Sequence, residues 1–216
     1  MRGVERVLVQ LDGQVIIDPA ATAPTNIYKL LIGAVVPRPI AFVSTISPEG
    51  VANLAPFSFF TVASANPPVL CFTASYREPR KDTLVNVRAT GEFVVNIVSE
   101  EIAERMNVCS GEYAYGVDEF ELACLTAIPS DLVRPPRVKE SHVNMECKLL
   151  QTIEVSNQRL GGTLILGEVV RFHVDDEIVE DFRIDADKLA AVGRMAGNTY
   201  ARTTDRFDMV RPEVKK

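Results

Sequence analysis

Reactive side chains are scarce in this sequence, which holds two histidines and four cysteines among 216 residues. A nucleophilic site needs a nucleophile, a base and an orienting group within hydrogen-bond reach, and His142 and His173 leave few ways to build one. No Gly-x-Ser-x-Gly turn occurs. Cys71, Cys109, Cys124 and Cys147 follow no zinc-ligand spacing, so no metal site is expected and free, mostly buried thiols are. The phosphate-cradling patterns Gly-x-Gly-x-x-Gly and Gly-x-x-x-x-Gly-Lys-Ser/Thr are also missing. Such a chain is either a binding module or an enzyme whose reactive atoms belong to a cofactor, and no catalytic side chain is assigned.

Two segments offer what a flat, phosphorylated cofactor needs. In Arg77-Glu78-Pro79-Arg80-Lys81-Asp82-Thr83, the cations Arg80 and Lys81 precede a helix start, where free N–H groups and the positive dipole end favour an anion. The competing reading is a solvated pair of loop charges with Asp82 as a plain cap. In Asn53-Leu54-Ala55-Pro56-Phe57-Ser58-Phe59-Phe60, Pro56 removes a ladder donor and the aromatics break strict alternation. This suits a bulged edge whose backbone groups meet a heteroaromatic ring beside Phe57 or Phe59; an irregular core strand is the alternative.

These segments need a scaffold. With 47% apolar residues the chain can bury one compact core, and 24% charged residues exclude a disordered or low-complexity class. A net charge of −6 argues against a nucleic-acid or anionic-membrane binder. The longest apolar stretches fall short of the roughly 20 residues of a membrane span, and no signal-peptide pattern opens the chain, so a cytoplasmic protein is expected.

Short apolar runs punctuated by turn chemistry predict an antiparallel sheet. Thr25 caps a short helix ending at Gly33, and Pro37-Arg38-Pro39 forces extended backbone into a strand over 40–46. The tetrad Ser47-Pro48-Glu49-Gly50 turns this strand back into a second one over 51–62. Further strands are predicted over 69–74 and 93–98, with a helix capped by Asp82 and closed by Gly91 between them. Ser99 opens a helix to Val108, Asp118 caps another, and Asp131 to Pro136 is loop. Alternation over 143–149 marks a half-wet strand, and Thr163–Val174 a long one kinked near Gly167. Asp185 caps a last short helix. At least six strands with few helices predict a closed or nearly closed barrel.

Taken in order, Ile27–Gly33, Pro37–Thr45, Asn53–Phe60, Asn66-Pro67-Pro68, Lys81-Asp82-Thr83-Leu84 with Asn86, Gly91–Asn96, Gly167–Val170 and Val192-Gly193-Arg194 resemble the flavin reductase-like family of FMN-binding split barrels. The resemblance covers about residues 25 to 200. It leaves residues 1–24 as an N-terminal extension, an added strand pair or a loose arm around Asp12-Gly13, and assigns 25–216 to the barrel domain. It implies a mainly β, six-stranded antiparallel Greek-key barrel with a few short helices, working as a homodimer with one FMN in each groove. Ser44, Thr45 and the segment Asn53, Leu54, Ala55, Pro56, Phe57 and Ser58 would contact the flavin ring and ribityl chain. Arg80, Lys81, Asp82 and Thr83 would surround the phosphate, and Arg38, Arg194 and Tyr200 would lie near the pocket, where an arginine can stabilise a reduced flavin or form a plain salt bridge.

The resemblance implies an FMN-dependent oxidoreductase passing electrons from a donor such as NADH or NADPH to free flavin, ferric iron, oxygen or a partner protein. One departure matters: where many nicotinamide-using relatives carry a Gly-Asp-His-like turn, this chain has Leu160-Gly161-Gly162-Thr163. Two alternatives therefore stand, a flavoredoxin-like electron carrier without nicotinamide activity and a non-catalytic barrel that has lost FMN. His173 is expected to be structural. Cys109 is either a redox-active thiol or, with no cation beside it in sequence, an inert one.

Overall fold

The computed structural model describes residues 9–214 apart from 12 and 115, so the expected arm is seen only in part. Two short strands, β1 (Val9–Leu11) and β2 (Gln14–Ile16), pair across a turn containing Gly13, and α1 follows over Pro24–Ala34. Asp12, half of the expected turn, lies outside the described residues. Helix α1 starts at Pro24, whose fixed φ suits the first helical position, rather than from a Thr25 cap. None of its residues is buried, although Ile27, Leu30, Leu31 and Ile32 are apolar.

The barrel is a seven-stranded sheet in the order β4-β3-β7-β10-β11-β6-β5. Its strands are β3 (Ala41–Ile46), β4 (Ala52–Phe57), β5 (Phe60–Ala65), β6 (Pro68–Ser75), β7 (Glu92–Ile97), β10 (Val143–Ser156) and β11 (Gly162–Val174). Between β7 and β10 come α3 (Ala103–Val108), α4 (Glu119–Leu122), β8 (Ala127–Ile128) and β9 (Arg137–Val138). After β11 come β12 (Val179–Glu180), β13 (Arg183–Ile184), α5 (Ala186–Leu189), β14 (Val192–Arg194) and β15 (Tyr200–Arg202). Among the described residues no helix is long and apolar enough to cross a membrane.

The expected turn is built as written: Gly50 N–H donates to Ser47 O, and Ser47 N–H to Val51 O. The single strand predicted over 51–62 is two, β4 and β5, broken at Ser58 and Phe59. These strands stand at opposite ends of the ladder order yet are joined by two residues, so the sheet must roll until its edges meet at that corner while remaining unpaired. That is a split barrel. Alternation then sends Ala41, Val43, Phe57, Phe72, Phe93, Cys147 and Ile165 inward. The rings of Phe57 and Phe72 lie 4.9 Å apart and those of Phe72 and Phe93 5.5 Å apart, closing the lumen.

Gly167 belongs to this closure, since a Cβ there would stand 2.2 Å from Cζ of Phe93. The expected irregularity falls opposite it, where β10 inserts Leu150 between the partners of Gly167 and Leu166. Helix α2 (Asp82–Thr90), in the crossover from β6 to β7, lowers Leu84 and Val87 into the same core and ends on Gly91 at φ 73°. The helix predicted over 99–108 begins as a 3-10 turn over Glu100–Ile102 and becomes α3. With α4 it covers the outer face of β3 and β4, burying Phe42 and Leu54 under Met106 and Phe120. Asp118 and Asp185 cap α4 and α5 as expected.

Candidate functional site

β4 is an edge strand, so one row of its backbone groups faces away from β3. The Leu54 amide is in that row and donates to Glu119 Oε2 at 2.9 Å. Pro56, two residues on, shares this side, which is why a residue without an N–H is tolerated in the strand. The edge borders two connected hollows, both lined by Pro56 and Ser110.

The smaller hollow measures about 60 Å³ and lies between β4, the start of α2, the segment after α3, and α4. That is room for a few waters or an ion-sized group. Arg77, Lys81, Asp82, Thr83, Asn53 and Glu119 line it. The Nε of Arg77 is buried without a hydrogen-bond partner, and among the described residues neither Arg77 nor Lys81 makes an ion pair. Lys81 is the N-cap of α2 and stands 5.9 Å from the Phe57 ring centroid. Burial, then the nearby Arg77, pulls the Lys81 ammonium below its ordinary pKa. Desolvation raises the buried Glu119 carboxyl above the usual carboxylate range, with the Leu54 amide opposing it.

A buried polar net fixes this end of α2. Asn53 Nδ2 donates to Thr83 Oγ1 at 3.1 Å and to Thr45 Oγ1 at 3.3 Å, and Asn86 Nδ2 donates to Thr45 Oγ1 at 3.1 Å. The first amides of α2 carry the positive end of the helix dipole.

The larger hollow, about 690 Å³, has a volume typical of small-molecule clefts. Tyr28 and Ile32 of α1, Met106 and Asn107 of α3, and Arg194 and Tyr200 of the β14–β15 hairpin wall it. Its two charged lining residues are arginines. Arg38 is buried, with Nη1 donating to Ile32 O and Val35 O and Nη2 to Met195 O, so it clasps the end of α1 to the hairpin. Arg194 lies over the Tyr200 ring at 4.5 Å, while the Tyr200 hydroxyl donates to Asn107 Oδ1.

The structure thus brings Asn53, Ala55, Pro56, Ser58, Lys81, Asp82, Thr83, Arg38, Arg194 and Tyr200 to the two hollows. Five of the expected residues are placed elsewhere. Ser44 and Thr45 are wholly buried and line neither hollow, because β3 is paired on both edges and covered on both faces. Ser44 instead donates to Pro136 O and accepts from Asn96. The side chains of Leu54 and Phe57 belong to the two cores, and the Leu54 amide is held by Glu119. Arg80 turns away: Nη2 meets Glu154 Oε2 at 3.1 Å and its guanidinium covers Tyr76 at 4.5 Å.

Arg77 takes the place expected of Arg80. Its segment was visible in the sequence, but which cation would face inward was not. Glu119 left no signal at all, since its role depends on α4 folding back onto β4. Burial, then Glu119, pushes the Cys109 thiol up to about 12, so it stays protonated and inert. His173 is structural: Nε2 lies 2.6 Å from Oε1 of fully buried Glu146, whose oxygens also accept from the Asp131 and Leu132 amides.

A small polar chamber that carries Arg77 and Lys81, beside a wide cleft walled by Tyr28, Tyr200 and two arginines, can hold the anionic tail of a flat ligand and shelter its body. Comparison with known proteins points the same way. The family model for the flavin reductase like domain matches residues 32–193. An uncharacterised protein of Aquifex aeolicus is 44% identical over 180 residues, 82% of this chain and 90% of that protein. Nitrilotriacetate monooxygenase component B from Bacillus cereus is 37% identical, with a TM-score of 0.88 over 92% of this chain and 100% of its own. The 2-nitrobenzoate 2-nitroreductase NbaA of Pseudomonas fluorescens is 33% identical, with a TM-score of 0.83 over 91% of this chain and 96% of its own.

Proposed function

Because this chain belongs to the flavin reductase-like family, we propose that it is an FMN-dependent oxidoreductase of the flavin reductase type. The observation that carries the reading is two cations on one small chamber, Arg77, whose Nε is buried without a partner, and Lys81, neither in an ion pair among the described residues. A buried charged donor without an acceptor is costly, and a phosphate oxygen removes the cost. The chamber is the smaller hollow and suits an ion-sized group, and the adjoining cleft is large enough for a ring, which matches a phosphorylated tricycle and the wall the two hollows share.

The chemistry a bound FMN supplies is two-electron acceptance from a reduced donor, such as NADH or NADPH, and release to an acceptor such as free flavin, ferric iron or a partner protein. The protein positions and shields. Arg77, Lys81, Thr83 and the α2 amides hold the phosphate. The Pro56–Ser58 edge carries the ring into the cleft, and Arg38 and Arg194 place positive charge along it, which favours electron-rich ligands. No side chain in the cleft is required as a base.

Helix α1 supports a homodimer. Leu30 and Leu31 are exposed on a helix that buries nothing, and such an apolar face is stable in water when a second copy covers it.

The test is a titration of the purified protein with FMN, followed by anaerobic mixing with NADH or NADPH. Binding with bleaching of the flavin absorbance supports the reductase. Binding without bleaching supports an electron carrier, and no binding refutes the FMN reading.

A further inference from the structure

Resting on the FMN reading above, we propose that Glu119 makes the small chamber selective for a phosphomonoester: its carboxyl shares one proton with the phosphate, so the ligand binds with proton uptake, and anions that cannot share a proton are rejected. The argument begins with charge. Arg77 and Lys81 face Glu119 and Asp82 around about 60 Å³, so the lining is formally neutral before any anion enters. A phosphomonoester above its second pKa of about 6 brings two negative charges. Like charges confined together cannot all remain ionised, and one proton is retained between them.

Glu119 is the group placed to keep it. Its residue is 7% exposed, whereas Asp82 is only half-buried, so water screens Glu119 less. One carboxylate oxygen is held by the Leu54 amide, which fixes the carboxyl toward the chamber. The other ionisable groups around it are Arg77 and Lys81 at the α2 side, Asp82 on α2, Cys109 at the end of α3, Glu112 and Tyr113 in the following segment, and Asp118 beside it. Among these Asp82 and Asp118 raise the affinity of Glu119 for a proton, and Cys109, held protonated, adds no charge near neutrality.

A carboxylate in an anion site is a selectivity device in its own right. It accepts a P–O–H proton, which requires a ligand that titrates near neutrality, or, once protonated, donates to P–O⁻. Sulfate and phosphodiesters offer no proton of their own and are left with the second mode alone, so the pocket prefers FMN to FAD by charge as well as by size.

The experiment is calorimetric titration of the protein with FMN at pH 7.5, in buffers of different ionisation enthalpy, alongside riboflavin and Glu119→Gln. The glutamine keeps an oxygen for the Leu54 amide and removes the charge. We expect uptake of close to one proton with FMN and none with riboflavin. FMN affinity should fall about tenfold per pH unit between pH 7 and 8.5 in the native chain, and this slope should vanish in Glu119→Gln. Inorganic phosphate should displace FMN at least tenfold better than sulfate, a measurement on the native chain that does not depend on the variant folding. FMN binding with no proton uptake, uptake that persists in Glu119→Gln, or equal displacement by sulfate would overturn the proposal and leave the FMN reading intact. Failure to bind FMN at all would overturn both.

Discussion

Replacing Lys81 by methionine separates affinity from stability, because the two should move independently. Methionine keeps most of the side-chain length and removes the ammonium, which stands 5.9 Å from the Phe57 ring centroid. A chamber of about 60 Å³ keeps an anion close to its lining charges, and two unit charges about 4 Å apart attract by ~4 kcal/mol at an effective dielectric of ~20. Some of that is offset by the hydration the phosphate gives up, leaving the 1.5–3 kcal/mol usual for a hydrogen bond to a charged group, at about 1.4 kcal/mol per tenfold in affinity. FMN binding should therefore weaken roughly 10- to 100-fold. The unliganded protein should melt no lower than the native chain, because burial already disfavours the ammonium there and no ion pair is lost. Fluorescence titration at low and high salt measures the first effect and thermal unfolding without ligand the second. Riboflavin, which lacks the phosphate, is the control. An affinity within twofold of the native value, or an equal loss for riboflavin, would refute the assignment of Lys81 to the phosphate.

Arg80→Ala should leave FMN affinity within about twofold, because its guanidinium is engaged by Glu154 and Tyr76 at the surface and such pairs contribute about 0–1 kcal/mol; the same titration checks it. Gly167→Ala should destabilise the fold by about 1–3 kcal/mol in urea unfolding, as the new methyl meets the Phe93 ring inside the barrel. Thiol labelling at pH 8 should modify exposed Cys124 and spare Cys109, which is buried and whose thiol is pushed up to about 12; rapid labelling of Cys109 in the folded protein would contradict the structure.

Much of the architecture was legible because it is local. The Ser47–Gly50 turn, the Gly91 stop of α2 and the Asp118 and Asp185 caps each depend on residues a few positions apart, and each stands where the pattern predicts it. The strand from Val143 to Leu149 stands too, but Asn144 and Glu146, expected on a wet face, are buried because polar partners from other segments cover them. Ordered motifs at compatible spacings extended this to the family. The break between β4 and β5 was not legible, because their residues share the same β-propensity. It exists to join the two edges of a rolled sheet, which is a property of the whole ladder.

The site divides along the same line. Sequence alone determined that a cationic segment would precede a helix, and it left the irregular strand carrying Pro56 as either an edge or a core strand. Only the tertiary structure decided which charges meet the ligand. Arg80 is claimed by Glu154, 74 positions away, Arg77 is left without an ion pair among the described residues, and Glu119 reaches the β4 edge across 65 positions. Backbone preferences act over a few residues, whereas the partner of a long charged side chain is set by whatever the folded chain brings within about 4 Å of it.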